Sequence, residues 1–381
     1  MASGLAYLTA KAVECAATVE WIASQLSSIP TLHSNHPHID QELDERVLQA
    51  RKRIAQLRRI IALNASALVP RGISIVNELQ LDVYILSESY LPALRKEEAS
   101  EAQFGGLATR TAGRCGLTDV RDILVNLSGG HAVLPAILTC PLLFAPPHQR
   151  HTLIDLVSIY HEFGHIVFEA RSEIRNGLTQ VCTDFFRKLE QGGGFLNPDQ
   201  REERRKQINQ AIAYWTRSRL AEIFSDIFAT YTTGPAYFYS CADMAIPYGD
   251  NPYEIDITDE HPPMAARVSV CKKSLLPDQL ESEVGKRTSE LWDEHIHTKA
   301  GSSEFRLWCG DDLLEEMVAE SVGSLSRVGV FQRYAAGQAA QVVPGQDVNL
   351  EELLNESTRM LLRQPASYTS WERPFVDALF Q

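Results

Sequence analysis

The distribution of apolar and polar positions divides the chain into three stretches of different character. The first 70 residues read as two helices, one over about 5–27 and a second, "IDQELDERVLQARKRIAQLRRIIALNASALV", starting near Asp40. The second has acidic residues in its first turns and basic ones later, which suits the helix dipole. Between them "SSIPTLHSNHPH" is rich in loop-forming residues. From Gly72 the pattern changes: "ISIVNELQLDVYIL", "DILVNL" and "HAVLPAILTC" carry strand-like β-branched content between glycine-rich breaks. From about 152 onward nearly everything reads as helix, with "EQGGGFLNPDQREERRKQ" (190–207) a loop leading into a charged helix start. The expected architecture is α+β but mainly helical: a helical N-terminal region over 1–70, a sheet-plus-helices domain over 71–270, and a helical C-terminal region over 271–381.

Two helices in this pattern stand out. "HTLIDLVSIYHEFGHIVFEAR" has no proline, one glycine and apolar residues on nearly all sides, so it predicts a buried helix. "QINQAIAYWTRSRLAEIFSDIFATY" predicts another, ending at Gly234-Pro235, with Leu220, Ile223, Phe224, Ile227, Phe228 and Tyr231 as its buried stripe.

Composition narrows the function classes. Hydrophobic residues make up 44% and charged residues 22%, ordinary for a globular protein with a sizeable core. The formal charge of -13 argues against nucleic acid as a partner, because phosphate binding needs a basic face. Seven scattered cysteines with no C-x-x-C pair predict buried thiols in a reducing compartment, and the cytoplasm is the expected location. The longest apolar stretch, "AVLPAILTCPLLFAPP", is interrupted by four prolines and too short to span a bilayer, so no membrane partner is expected.

The candidate chemistry lies in the first of the two helices. His161 and His165 are one turn apart, so both imidazoles project from one face and can reach one metal ion. Glu162, beside the first histidine, can reach a metal-activated water as general base; H-E-x-x-H is thus a ligand pair and a base in one turn. Zinc is the expected ion. Two buried histidines and a buried glutamate without such a purpose would be costly. A third ligand is needed, and the metzincin histidine is absent because Arg171 stands in its place. Two carboxylates compete. Asp184 follows His165 by 19 positions, where aminopeptidase-type zincins carry a glutamate. Glu222, on the second helix, has Asp226 one turn on, a spacing that suits one ligand and one carboxylate orienting a ligating histidine.

"HEFGH", "AEIFSDIFA" and "DEHPPMAAR", in this order, resemble the HtpX-like and CaaX-prenyl-protease family of gluzincin metallopeptidases. The resemblance covers roughly 150–270 and implies a zincin-like core, zinc on His161, His165 and Glu222, and Glu162 as base. It also implies a role for His261 in the His-Pro-Pro segment, with Arg267 a few residues on. Members of that family commonly carry membrane segments; this chain shows none, and its 172–210 stretch and helical flanks match nothing in the pattern.

The expected activity is therefore zinc-dependent endoproteolysis of a protein or peptide substrate. His261 is the expected donor to the oxyanion, with Tyr231 and Tyr237 behind it, and Arg267 is expected to pair with Asp226. The alternatives are a zinc aminopeptidase using Asp184, or a scaffold with a non-catalytic metal site. In either case the helical flanks could serve a regulatory partner or self-association. His33, His36 and His38 in "HSNHPH", and His295 and His297, are expected to be solvated.

Overall fold

The computed structural model describes residues 2–29, 32, 36–96, 99–127, 132–135, 138–146, 152–192, 197–246, 251–297, 299–335 and 349–380. Its contacts group the chain into two compact units, the first holding Met1–Thr109, Asp119–Gly130 and Leu134–Ala145, the second Arg110–Thr118, His131–Val133 and Pro146–Gln381.

The first unit is built on α1 (Ala2–Ser27), α2 (Pro37–Ala62) and α3 (Val69–Tyr84), each packed on the other two. Helix α1 buries Leu8, Ala12, Cys15, Val19, Ile22 and Leu26, in alternating steps of four and three. Helix α2 answers with Ile39, Leu43, Val47, Ala50, Ile54 and Leu57. These are the seams of a coiled-coil-like hairpin, in which each apolar row fills the gaps of the other. Arg51 closes its outer edge by donating to both oxygens of Glu20, at 2.8 and 2.6 Å.

The strand expected over "ISIVNELQLDVYIL" is instead helix α3. Its buried positions, Gly72, Ile75, Val76 and Leu79, fall three to four apart and face α1 and α2, so burial of that stripe outweighs the β-branched preference. The helix continues through a π-helical turn, Ile85–Tyr90, into α4 (Leu91–Lys96), and α5 follows at Ala99–Arg114. The helical N-terminal part thus runs well past residue 70. Only then come β1 (Leu124–Asn126), β2 (Ala132–Leu134) and β3 (Leu142–Phe144), a small sheet ordered β1-β3-β2 with β1 parallel to β3. The Tyr90 hydroxyl donates to the Cys140 carbonyl at 2.8 Å, tying the π-helical turn to the segment entering β3. His36 is buried, not solvated: its Nδ1 lies 2.8 Å from Asp122 Oδ2. His38 is exposed, and His33 lies outside the described residues.

The second unit is helical. After α6 (Leu153–Leu156) come α7 (Ser158–Ala170), α8 (Ser172–Gln191) and α9 (Pro198–Tyr214). Asn197 and Gln200 start α9 with a reciprocal capping box. A π-helical turn, Trp215–Arg219, leads into α10 (Leu220–Thr233), then α11 (Pro235–Ala245) and α12 (Met264–Ser274). The remaining helices are α13 (Pro277–Leu280), α14 (Glu283–Ile296), α15 (Ser303–Trp308), α16 (Asp311–Val328), α17 (Leu350–Arg363) and α18 (Pro365–Leu379). Helix α16 packs on α8 and α12, and α17 on α10, α11 and α14, so residues beyond 271 join the same core and do not stand apart. His295 is partly buried, with Nε2 3.0 Å from Lys299 Nζ, and His297 is exposed.

All seven cysteines are free and buried. Among the described residues no helix is long and apolar enough to cross a membrane.

The most extensive helix packing in this unit, among the described residues, is that of α7 on α10. At Gly164 a Cβ would lie 2.5 Å from Ser225 Cα, so the two backbones meet where no side chain fits. Gly164→Ala should therefore destabilise the protein by about 1–3 kcal/mol through overpacking, reversing the gain of up to about 1 kcal/mol that alanine brings to an open helix position. Denaturant unfolding measures this; a variant as stable as the parent would show that the pair can spread without cost.

Candidate metal centre

The α7–α10 contact brings together residues 57 or more positions apart in sequence. His161 and His165 lie one turn apart on α7 and Glu222 in the first turn of α10. The three form the one His/Cys/Asp/Glu group among the described residues whose donors converge closely enough for a metal ion. The two Nε2 atoms are 3.1 Å apart. Glu222 spans them, with Oε2 3.3 Å from His161 and Oε1 3.3 Å from His165. Glu222 Oε2 is buried and accepts no hydrogen bond. A buried carboxylate oxygen without a donor is costly, and a cation bound among these donors removes that cost. The donor set fits a metal ion.

Electrostatics describe the same demand for positive charge. Burial would lower the pKa of His161, but the adjacent Asp226 and Glu222 carboxylates prevail and raise it to about 10. Burial and the charge on His161 push His165 down to about 4. Glu222 falls to about 2: burial opposes this, and the histidines, His161 foremost, outweigh it. A metal ligand must be a neutral imidazole, whereas His161 is a cation in the metal-free chain. The two facts agree, because in either state positive charge sits beside the Glu222 carboxylate, carried by a proton or by a metal ion.

Behind His161 the structure places a fully buried polar cluster. Asp226 is 0% exposed, and its Oδ1 lies 2.9 Å from His161 Nδ1. Arg267, from α12, clamps Asp226 with Nε to Oδ2 at 2.7 Å and a terminal nitrogen to Oδ1 at 2.8 Å. Burial opposes the charge on both, but the pairing prevails, holding Asp226 well below the usual carboxylate range and Arg267 well above its own. A charged carboxylate on Nδ1 fixes the ring and leaves Nε2 for the metal side. Tyr237, from α11, donates to Asp226 Oδ1 at 2.6 Å and sits 3.0 Å from His161 Nδ1. Burial raises its pKa well above the ordinary phenol value, which keeps it a donor.

Glu162 is buried beside the converging donors, and burial pushes its carboxyl up to about 7. His261 is at the solvent side, with 52% of its side chain exposed and Nε2 3.6 Å from Glu222 Oε2. Its Nδ1 and backbone N–H both engage Asp259 Oδ1, at 2.9 Å each.

Tyr231 takes no part: its ring faces Arg333 and its carbonyl accepts from Tyr334. Asp184 accepts from Gln180 on its own helix at 2.7 Å and is not among the converging donors. Tyr237, expected behind His261, is instead a partner of Asp226 and His161. Asp259 had a sequence signal, its place two residues before His261. Tyr237 had none that pointed at Asp226, because the two meet only when α11 folds back on α10.

Comparison with models of known families, with curated proteins and with solved structures gave no match. The site is thus described by its own geometry.

Proposed function

We propose that this protein is a zinc-dependent metalloendopeptidase with a zincin-like helix pair, α7 and α10, at its centre. The observation that carries the reading is the coexistence of a His161–His165–Glu222 donor set with a buried, non-ligating Glu162 next to it. The donor separations of 3.1–3.3 Å match the edge of a tetrahedron around an ion held at about 2.0–2.1 Å, which is about 3.3 Å and is the geometry zinc favours. The resemblance of the HEFGH, AEIFSD and HPPMAAR blocks to gluzincin peptidases supports the same assignment.

His161, His165 and Glu222 would hold zinc, which supplies polarisation of a peptide carbonyl and acidification of water. Glu162 acts as the base: a carboxyl whose pKa lies near neutrality can take a proton at pH 7 and return it to the leaving amine. His261, exposed at the mouth and held through Nδ1 by Asp259, presents Nε2 toward the reacting side, where it can donate to the oxyanion. Asp226, Arg267 and Tyr237 fix the His161 ring.

The test is metal analysis of the purified chain with a cleavage screen on a peptide library. The expected result is close to one zinc per chain and internal peptide-bond cleavage that a chelator abolishes and added zinc restores. A chain that binds zinc yet cleaves nothing would point to a non-catalytic metal site; one that binds no zinc would overturn the reading.

A further inference from the structure

Arg219 is 2% exposed, and among the described residues no carboxylate lies within ion-pair distance of it. Its guanidinium lies 3.9 Å from the centre of the Tyr214 ring. One terminal nitrogen donates to the Tyr214 carbonyl at 2.9 Å. The other gathers three carbonyls from one loop, those of Asp256 and Ile257 at 3.1 Å each and that of Asp259. Ser218 adds a hydroxyl donation to the Glu260 carbonyl at 3.3 Å. A buried cation satisfied by carbonyls alone, with Nε left without a partner, is an expensive way to hold a loop.

Its position gives that expense a use. Arg219 closes the π-helical turn that runs without a break into α10, three residues before Glu222. Insertions of this kind recur at functional sites because they re-aim side chains within a helix. The loop it grips carries Asp259, which holds both the ring and the backbone N–H of His261. Glu222 and the loop anchor therefore share one continuous helix.

We propose that Arg219 is a positioning residue: it fixes the 256–261 loop by its carbonyls and so holds the His261 imidazole over Glu222. It touches none of the converging donors and acts through His261. This rests on the metal-centre reading for its purpose, while the anchoring itself does not.

The experiment uses the full chain in two arms. In the first, cobalt(II) replaces the native metal, and the paramagnetically shifted ring resonances of the histidines are recorded, with His261 assigned by its loss in His261→Ala. Arg219→Met should move or broaden the His261 resonance while leaving those of His161 and His165 in place, a pattern general loosening of the fold would not give. In the second, a protease cutting after acidic residues attacks the metal-free chain, and cleavage after Glu254, Asp256, Asp259 or Glu260 should quicken about tenfold or more in Arg219→Met, as expected when a loop loses its anchoring hydrogen bonds. Should Arg219→Met not fold, Arg219→Gln, which keeps two donors on a shorter arm, is read in the same way. An unmoved His261 resonance with unchanged cleavage overturns the proposal. If cobalt does not bind, the metal reading fails, and the proteolysis arm still decides whether Arg219 anchors the loop.

Discussion

Glu162→Gln should keep zinc bound and lower peptide hydrolysis by about 10²–10⁴-fold. Glutamine preserves size and hydrogen bonding but cannot accept the proton, and that range is the usual worth of a positioned general base. Glu162 is not one of the three converging donors, so metal content should match the parent's. The pH profile provides a second check. Burial raises the Glu162 pKa to about 7 in the metal-free chain, and a metal cation at the adjacent donors pulls it back down. A base works only when deprotonated, so activity should rise with pH along a limb centred at or below about 7, and that limb should vanish in Glu162→Gln. Steady-state hydrolysis of a peptide found in the library screen, across pH 5–9, measures both. Near-parental hydrolysis by the variant would remove Glu162 from the mechanism.

Removing a ligand has the other large expected effect. His161→Ala, His165→Ala and Glu222→Ala should each lose most of the zinc, because each takes one of three donors from a set whose separations already suit the ion. Asp226→Ala should weaken zinc by about 10–100-fold, the usual cost of losing a partner that orients a ligand. It also strands the Arg267 guanidinium without its buried carboxylate, so part of its effect will appear as lost stability. Asp184→Ala should leave the metal alone, since Asp184 binds Gln180 on its own helix. Competition with a chromophoric chelator ranks the five variants. Zinc lost with Asp184→Ala but kept with Glu222→Ala would reverse the assignment.

The candidate site was legible in the sequence to the extent that it is local. The one-turn spacing of His161 and His165, and of Glu222 and Asp226, is a property of any helix that includes them, so phase alone puts each pair on one face. Helices α1, α2, α7 and α10 were legible for a related reason, since their apolar rows are periodic enough to exclude other structures. Helix α3 was not. Its isoleucines and valines carry a strand preference, and only the presence of α1 and α2 to bury Ile75, Val76 and Leu79 decides for a helix.

The sequence by itself determined the helix with the histidine pair, the adjacent buried glutamate and a second helix with two acidic candidates, because all of these depend on helical phase and on the cost of burying ionisable groups in an apolar segment. Only the tertiary structure brings Glu222, and not Asp184, to the histidine pair, since that turns on which helix Gly164 lets approach α7 closely. It also decided that Tyr237 belongs to Asp226, that Tyr231 stands apart, and that Arg219 holds the loop carrying His261. Each of these joins residues 11 to 40 positions apart in sequence or separates neighbours on one helix, and no local periodicity encodes how helices cross.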